Sequence, residues 1–376
     1  MFERIQHMLR KEFIQVFRDP KMKGVIFLMP VIQVLVFGYA VTTDVRHVAT
    51  AVLDFDNSVA SRELVARFVE SGYFDVVEYA AEEARARERL DRGQARAVLR
   101  MNHGFADALR AGRTAQLQVI VDGTDSNTAG IVLDYSSKIV GKLSQKILIE
   151  RFTRLKGMKL EPGRVELQTR AWFNENLESR NFYVPGVIAI IVMLITLMLT
   201  SMAVVREKEI GTMEQIMVTP ITPTEFILGK TLPFALIGFA DVILVTVVGV
   251  FWFGVPIRGN LLLLFVSTAL YLMTTLGIGL IISTVSQTQQ QAMMSTFFFY
   301  FPAVLLSGFM FPIANMPEAV QWLTWLNPLR YFLVIVRGIF LKGVGPAILW
   351  PQMAALAAMG LATLALASRR FQKTLA

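Results

Sequence analysis

No Asp, Glu, Lys or Arg interrupts the chain between Arg258 and Glu318, and that gap excludes most of what a polypeptide can fold into. About 20 apolar residues suffice to cross a bilayer as a helix, so the stretch is long enough for two crossings. The polar run Ser283 to Gln291 divides it. Gly24 to Thr43, Asn181 to Val205 and Val344 to Ser368 are likewise free of charge. Phe226 to Val255 completes the set, with Lys230 at its edge and Asp241 inside it. A soluble core rarely holds several such runs. The pattern predicts a mainly α membrane protein with about six transmembrane helices.

Charge then gives orientation. The net charge of +8 does not read as nucleic-acid binding, because the basic residues cluster beside apolar spans. Arg4, Arg10, Lys11, Arg18, Lys21 and Lys23 precede the first span, Arg206 and Lys208 follow the second, and Arg369, Arg370 and Lys373 follow the sixth. These segments share one side, which the positive-inside rule makes cytoplasmic, so both termini are expected there. Arg330, Arg337 and Lys342 on the outer side weaken the bias without reversing it. The first span has no small-residue cleavage site and reads as retained. Residues 1–23 carry Phe2, Ile5, Leu9, Phe13, Val16 and Phe17 at helical spacing, which predicts an amphipathic helix in the cytoplasmic interface.

Residues 44–180, between the first span (24–43) and the second, are a different material. Short apolar runs at Val48 to Leu53, Phe74 to Val77, Ala95 to Arg100 and Leu117 to Val121 read as strands. Ser58 to Glu70, Ala81 to Asp91, Phe105 to Arg110 and Asn127 to Leu155 read as helices. The alternation predicts an inserted extracytoplasmic α/β domain. Asp54, Asp56, Asp122 and Asp125 follow strands and read as turn and cap residues before a cation site. The chain has no cysteine, and His7, His47 and His103 stand apart, so thiol chemistry, disulfides and a histidine metal site are not expected. No hydrolase, zinc-protease or dinucleotide motif occurs.

Gly229-Lys230-Thr231 resembles the end of a phosphate-binding loop, but Thr224 stands where that loop needs its first glycine. ATP hydrolysis by this chain is therefore not expected. The segment 206–219 reads instead as a short helix with Ile210, Met213 and Met217 on one face and Glu207, Glu209 and Glu214 around it, ended by Pro220 and Pro223. An apolar ridge with acidic shoulders suits a groove on a soluble partner, and acidic groups disfavour an anionic membrane surface.

Three segments carry a resemblance to the membrane subunits of type-2 ABC exporters, in the bacterial multidrug-efflux-like group with a large extracytoplasmic domain. They are Glu207, Glu209-Ile210-Gly211-Thr212 and Glu214 before Pro220; Gly277 to Thr284 with Gln289 to Ala292; and Leu306 to Pro312 with Met316-Pro317, Asn327-Pro328, Tyr331 and Arg337-Gly338-Ile339. The resemblance implies a permease in the bacterial inner membrane, paired with a second copy or a paralogue. It implies separate ABC ATPase subunits that use ATP and Mg, while this chain binds no cofactor. It makes 206–219 (Glu207, Glu209, Ile210, Gly211, Thr212, Met213, Glu214, Met217) the coupling helix. It makes 315–342 a re-entrant gate segment with Pro317, Asn327, Pro328, Tyr331, Arg337 and Gly338. In similar systems the outer domain contacts a periplasmic adaptor and an outer-membrane channel.

The expected function is export of a hydrophobic or amphipathic substrate, drug-like or lipid-like. Polar and aromatic positions inside the spans are pathway candidates: Gln33, Tyr39, Thr196, Thr200, Asp241, Tyr271, Thr274, Tyr300 and Phe309. Each also fits a helix-packing role. Three other classes remain open at this point: a proton-coupled transporter built on Asp241, a glycan or lipid exporter of the same family, and a membrane-anchored receptor whose outer domain binds a ligand.

Overall fold

The computed structural model describes residues 2–18, 20–40, 45, 47–156, 172–174, 178–212 and 222–375. The chain divides into two compact units, one made of Met1–Thr42 with Arg170–Ala376 and the other of Thr43–Thr169.

In chain order the elements are α1 (Phe2–Arg18), a π-turn Gly24–Leu28 running into α2 (Met29–Ala40), β1 (Val48–Asp54), α3 (Val59–Glu70), β2 (Phe74–Tyr79), α4 (Glu83–Asp91), β3 (Ala97–Met101), α5 (Phe105–Arg110), β4 (Leu117–Val121) and α6 (Ser126–Lys156). Then follow α7 (Ser179–Ile210), α8 (Pro223–Phe251), α9 (Leu261–Val285), α10 (Gln289–Leu305), the short α11 (Glu318–Thr324) and α12 (Pro328–Arg337), and α13 (Pro346–Leu375).

In the first unit, α7, α8, α9 and α13 are long and apolar enough to cross a membrane. Helices suit that medium because every backbone donor is satisfied within the segment. The charge-free run 24–43 is helical as far as Ala40, and α10 has 17 residues. At about 1.5 Å per residue, α10 reaches about 26 Å, at the lower limit of the roughly 17–25 residues that cross a hydrocarbon core. Buried on nearly all sides, α7 forms the centre of the bundle. Small residues let its neighbours approach. A Cβ on Gly238 of α8 would lie 2.6 Å from Leu272 and 3.0 Å from Thr196, and one on Gly279 of α9 would lie 2.8 Å from Thr200. Hydroxyls join the helices where backbones come close: Thr196 and Thr275 are 3.0 Å apart, and Thr296 donates to Ser201 at 2.9 Å.

In the second unit the strands pair in the order β2-β1-β3-β4, parallel at β2-β1-β3 and antiparallel at β3-β4. Side chains alternate along β1, so the sheet buries both faces. Val48 and Val52 pack with Phe68, Phe74, Leu99 and Val132, while Ala51 and Leu53 pack with Ala86 and Val98. Ser58 caps α3 in a reciprocal box with Ser61. The strand-end carboxylates are structural. Asp54 accepts from the amides of Asp56 and Asn57, and Asp56 accepts from the amides of Phe105 and Ala106, both at 3.0 Å, which caps α5. Asp122 and Asp125 likewise accept from backbone amides ahead of and within the first turn of α6. No group of three metal-ligating side chains occurs among the described residues.

Candidate functional site

The turn after α7 differs from the single helix expected over 206–219. Arg206 to Ile210 are the last turn of α7 itself, and the helix stops at Gly211, whose φ is 78°. The Gly211 amide donates to Lys208 O at 3.2 Å and the Thr212 amide to Glu207 O at 3.0 Å, closing the C-terminus. Glycine adopts this left-handed geometry without a Cβ penalty, which makes it the usual residue there. Met213, Glu214 and Met217 lie outside the described residues. The chain re-enters the bundle at α8, where Thr222 and Glu225 form a capping box and Pro223 takes the first helical position.

Glu207 is not the exposed docking side chain that its place in the sequence suggested. It is 3% exposed, and its Oε1 accepts from Lys230 Nζ and Lys11 Nζ, both at 2.7 Å. Its other oxygen accepts from the Thr212 hydroxyl. Lys230, 1% exposed, also donates to Glu12 of α1 at 2.6 Å, and Glu12 is itself buried. Two lysines and two glutamates thus join α1, α7 and α8 with no net charge. Lys230, rejected above as a phosphate ligand, is the centre of this joint. Close packing lets α1 reach it, since Gly229 sits under the Met8 side chain.

The neighbouring residues extend the joint. Lys208 donates to the carbonyls of Ser283 and Thr284 at 3.4 and 3.3 Å, at the C-terminus of α9. Glu209 accepts from the backbone amide of Gln289 at 3.1 Å and from its side chain, at the N-terminus of α10. Each charge complements the helix end it meets. Ile210 is left 62% exposed. The end of α7 is therefore mechanically tied to four other helices. Its partners Lys11, Glu12, Lys230 and Gln289 were not singled out as site residues. The available signal was Lys230, since a lysine at the edge of an apolar span needs a counter-charge.

The pathway candidates are spread over several helices of the bundle, from α2 to α10. Thr196, Thr200, Asp241, Tyr271 and Phe309 are all buried inside the bundle. Tyr271 stacks on Phe332 at 4.1 Å and donates to Ala189 O at 3.1 Å, Thr274 donates to Leu356 O at 3.2 Å, and Phe309 fills the space over Gly186. Gln33 and Tyr300 are half-buried, and Tyr39 is exposed and accepts from Trp252. Asp241 is 1% exposed, and its Oδ2 has no hydrogen-bond partner among the described residues.

The segment proposed as re-entrant is held by its own chemistry. Pro317 precedes α11. Asn327 caps α12 through the Leu329 amide and donates to Ala303 O at 2.7 Å, with Pro328 at the first helical position. Tyr331 donates to Trp325 O at 2.9 Å. The Arg337 guanidinium lies 3.7 Å from the centroid of the Phe182 ring and donates to Gly308 O at 3.3 Å. Gly338 opens a π-turn and lies against Val344 and Leu349.

The chain matches the family described as ABC-2 family transporter protein over residues 24–369. It is 35% identical over 374 residues to the "Probable multidrug ABC transporter permease YbhR" of Escherichia coli (strain K12), covering 98% of this chain and 100% of that one. It is 34% identical to the "Probable multidrug ABC transporter permease YbhS" of the same strain, covering 93% and 91%. To the same strain's "Inner membrane transport permease YhhJ" it is 32% identical, covering 86% and 85%.

Proposed function

This chain belongs to the ABC-2 transporter family, and from that premise we propose that it is the permease subunit of an exporter driven by a separate ATPase. The observation that carries the reading is the buried joint at Glu207. A force applied at the turn after α7 meets Glu207, bonded to α1 and α8, Lys208, bonded to α9, and Glu209, bonded to α10, so displacement there moves all four helices together. ATP and Mg belong to the partner in this reading, and the docking surface is the exposed Ile210 with the chain that follows it. Coupling requires that the ATPase bind the two states of the bundle with different affinity.

The finer features follow from the same reading. Six helices cross the inner membrane, with α2 and α10 added to the four long ones, and both termini are cytoplasmic. The unit Thr43–Thr169 is extracytoplasmic. Two permeases pair, and an adaptor with an outer-membrane channel receives the substrate. The relatives' names support a drug-like or amphipathic cargo, with lipid or glycan as the alternatives.

Gentle purification from native membranes, identification of what accompanies the chain and an ATP hydrolysis assay test this. A co-purifying ATPase supports the proposal. A chain that emerges alone and moves substrate in vesicles on a proton gradient replaces it with a second reading, for which the buried Asp241 carboxyl is the specific support.

A further inference from the structure

Cations gather at the end of the membrane unit where α8 finishes and α9 and α13 begin, and the sequence supplies little to balance them. Between Val255 and Ser368 the charged residues are Arg258, Arg330, Arg337 and Lys342, against the single acid Glu318. Arg258 and Lys342 are exposed, and neither has a carboxylate partner among the described residues. The backbone brings these two positions together. The Arg258 amide donates to Phe340 O at 3.1 Å, and a Cβ on Gly343 would lie 3.0 Å from Arg258 O. One π-turn before Lys342, Arg337 is packed on Phe182, and its Nε and Nη2 have no hydrogen-bond partner among the described residues. A buried cation with unmet donors is costly unless an anion is near.

All five tryptophans, Trp172, Trp252, Trp322, Trp325 and Trp350, lie exposed at this same end. Tryptophan at the ends of apolar helices marks the headgroup depth of a bilayer. The first turns of α9 and α13, which follow the two cations, expose Leu262 and Ile348. We propose that Arg258 and Lys342 hold the phosphate of an anionic phospholipid, with its acyl chains along Leu262 and Ile348 and its charge offsetting that of Arg337. An arginine fork beside a lysine ammonium suits phosphate oxygens. A zwitterionic lipid brings its own ammonium to the same cations and is disfavoured. The assignment depends neither on the energy source of transport nor on which side of the membrane this end faces.

Because every tryptophan lies at this end, intrinsic fluorescence reports on it alone. The full chain is reconstituted in brominated phosphatidylcholine, which quenches tryptophan, mixed with unbrominated phosphatidylglycerol. Phosphatidylglycerol is expected to protect the fluorescence beyond its mole fraction, with a relative affinity of at least about fivefold. Lys342→Gln should lower that preference, and adding Arg258→Gln should bring it to about one. Arg330→Gln removes a cation from the same end but should leave the preference within about twofold, because Arg330 is already held over the Trp325 and Tyr331 rings. No preference in the parent, a preference that survives in the double variant, or a loss in Arg330→Gln as large as in Lys342→Gln overturns the proposal. So does a preference lost when inorganic phosphate is added at constant ionic strength, which would make this a site for a free anion.

Discussion

Lys230 of α8 sits 2.7 Å from Glu207 of α7 and 2.6 Å from Glu12 of α1, with all three side chains buried. Buried ion pairs contribute little net stability when intact, but removing one member leaves an uncompensated charge. Lys230→Met leaves two carboxylates facing each other with only the half-exposed Lys11 nearby. The expected loss is about 3–5 kcal/mol, read as a lowered Tm of the purified chain. Glu12→Gln combined with Lys230→Met should recover part of it. A single variant as stable as the parent would show that the joint carries no load.

Gly211 has φ 78°, and a side chain there meets open space. The cost of Gly211→Val is therefore conformational, about 1–2 kcal/mol, and falls on the end of α7 alone. The variant should fold and insert normally while substrate-stimulated ATP hydrolysis falls. Gly211→Asn, which tolerates the left-handed region better, should lie between. Unchanged stimulation in both would separate the turn from coupling.

Much of this arrangement was legible in the residues, and the part that was not has a physical cause. Charge-free runs located the helices because lipid excludes charge whatever the tertiary context. Ser58 announced the start of α3, since a cap is a local bond. The run to Met217 looked continuous because apolar spacing persists past Gly211, whereas backbone dihedral preference ends the helix there. The charge joint was invisible for another reason: Glu12 and Lys230 are far apart in sequence, and no local pattern brings them together. Residue type alone did not separate a packing role from a pathway role at Thr196 or Tyr271, because threonine and tyrosine serve helix packing as readily as they line a path.

Asp241 is buried, and one of its oxygens has no hydrogen-bond partner among the described residues. Burying an unpaired polar group costs roughly 1–3 kcal/mol, so Asp241→Leu should raise Tm. If the carboxyl serves transport, flux through reconstituted vesicles should fall in the same variant. A lower Tm would reveal a partner that the carboxyl needs.

In the second unit, Asp56 is held below the ordinary carboxylate range, first by the Ser58 hydroxyl and then by the backbone amides at the start of α5, against a smaller opposing effect of desolvation. Its folded-state pKa is depressed. The stabilisation is therefore full above the unfolded value near pH 4 and is lost as pH falls through the folded one. Hydrogen exchange at the Phe105 and Ala106 amides should quicken, relative to its intrinsic rate, as pH drops below about 4. Asp56→Asn should remove that pH dependence. Exchange that tracks the intrinsic rate in both proteins would remove Asp56 from the cap.

The most direct test of the central claim is a cross-link. Ile210→Cys, in a chain with no other cysteine, carries a maleimide photo-cross-linker at the exposed end of α7 in native membranes. The account predicts an adduct with an ABC ATPase subunit, identified by mass spectrometry, whose yield changes when ATP is added. Adducts with lipid alone, in membranes where the chain still exports substrate, would contradict it.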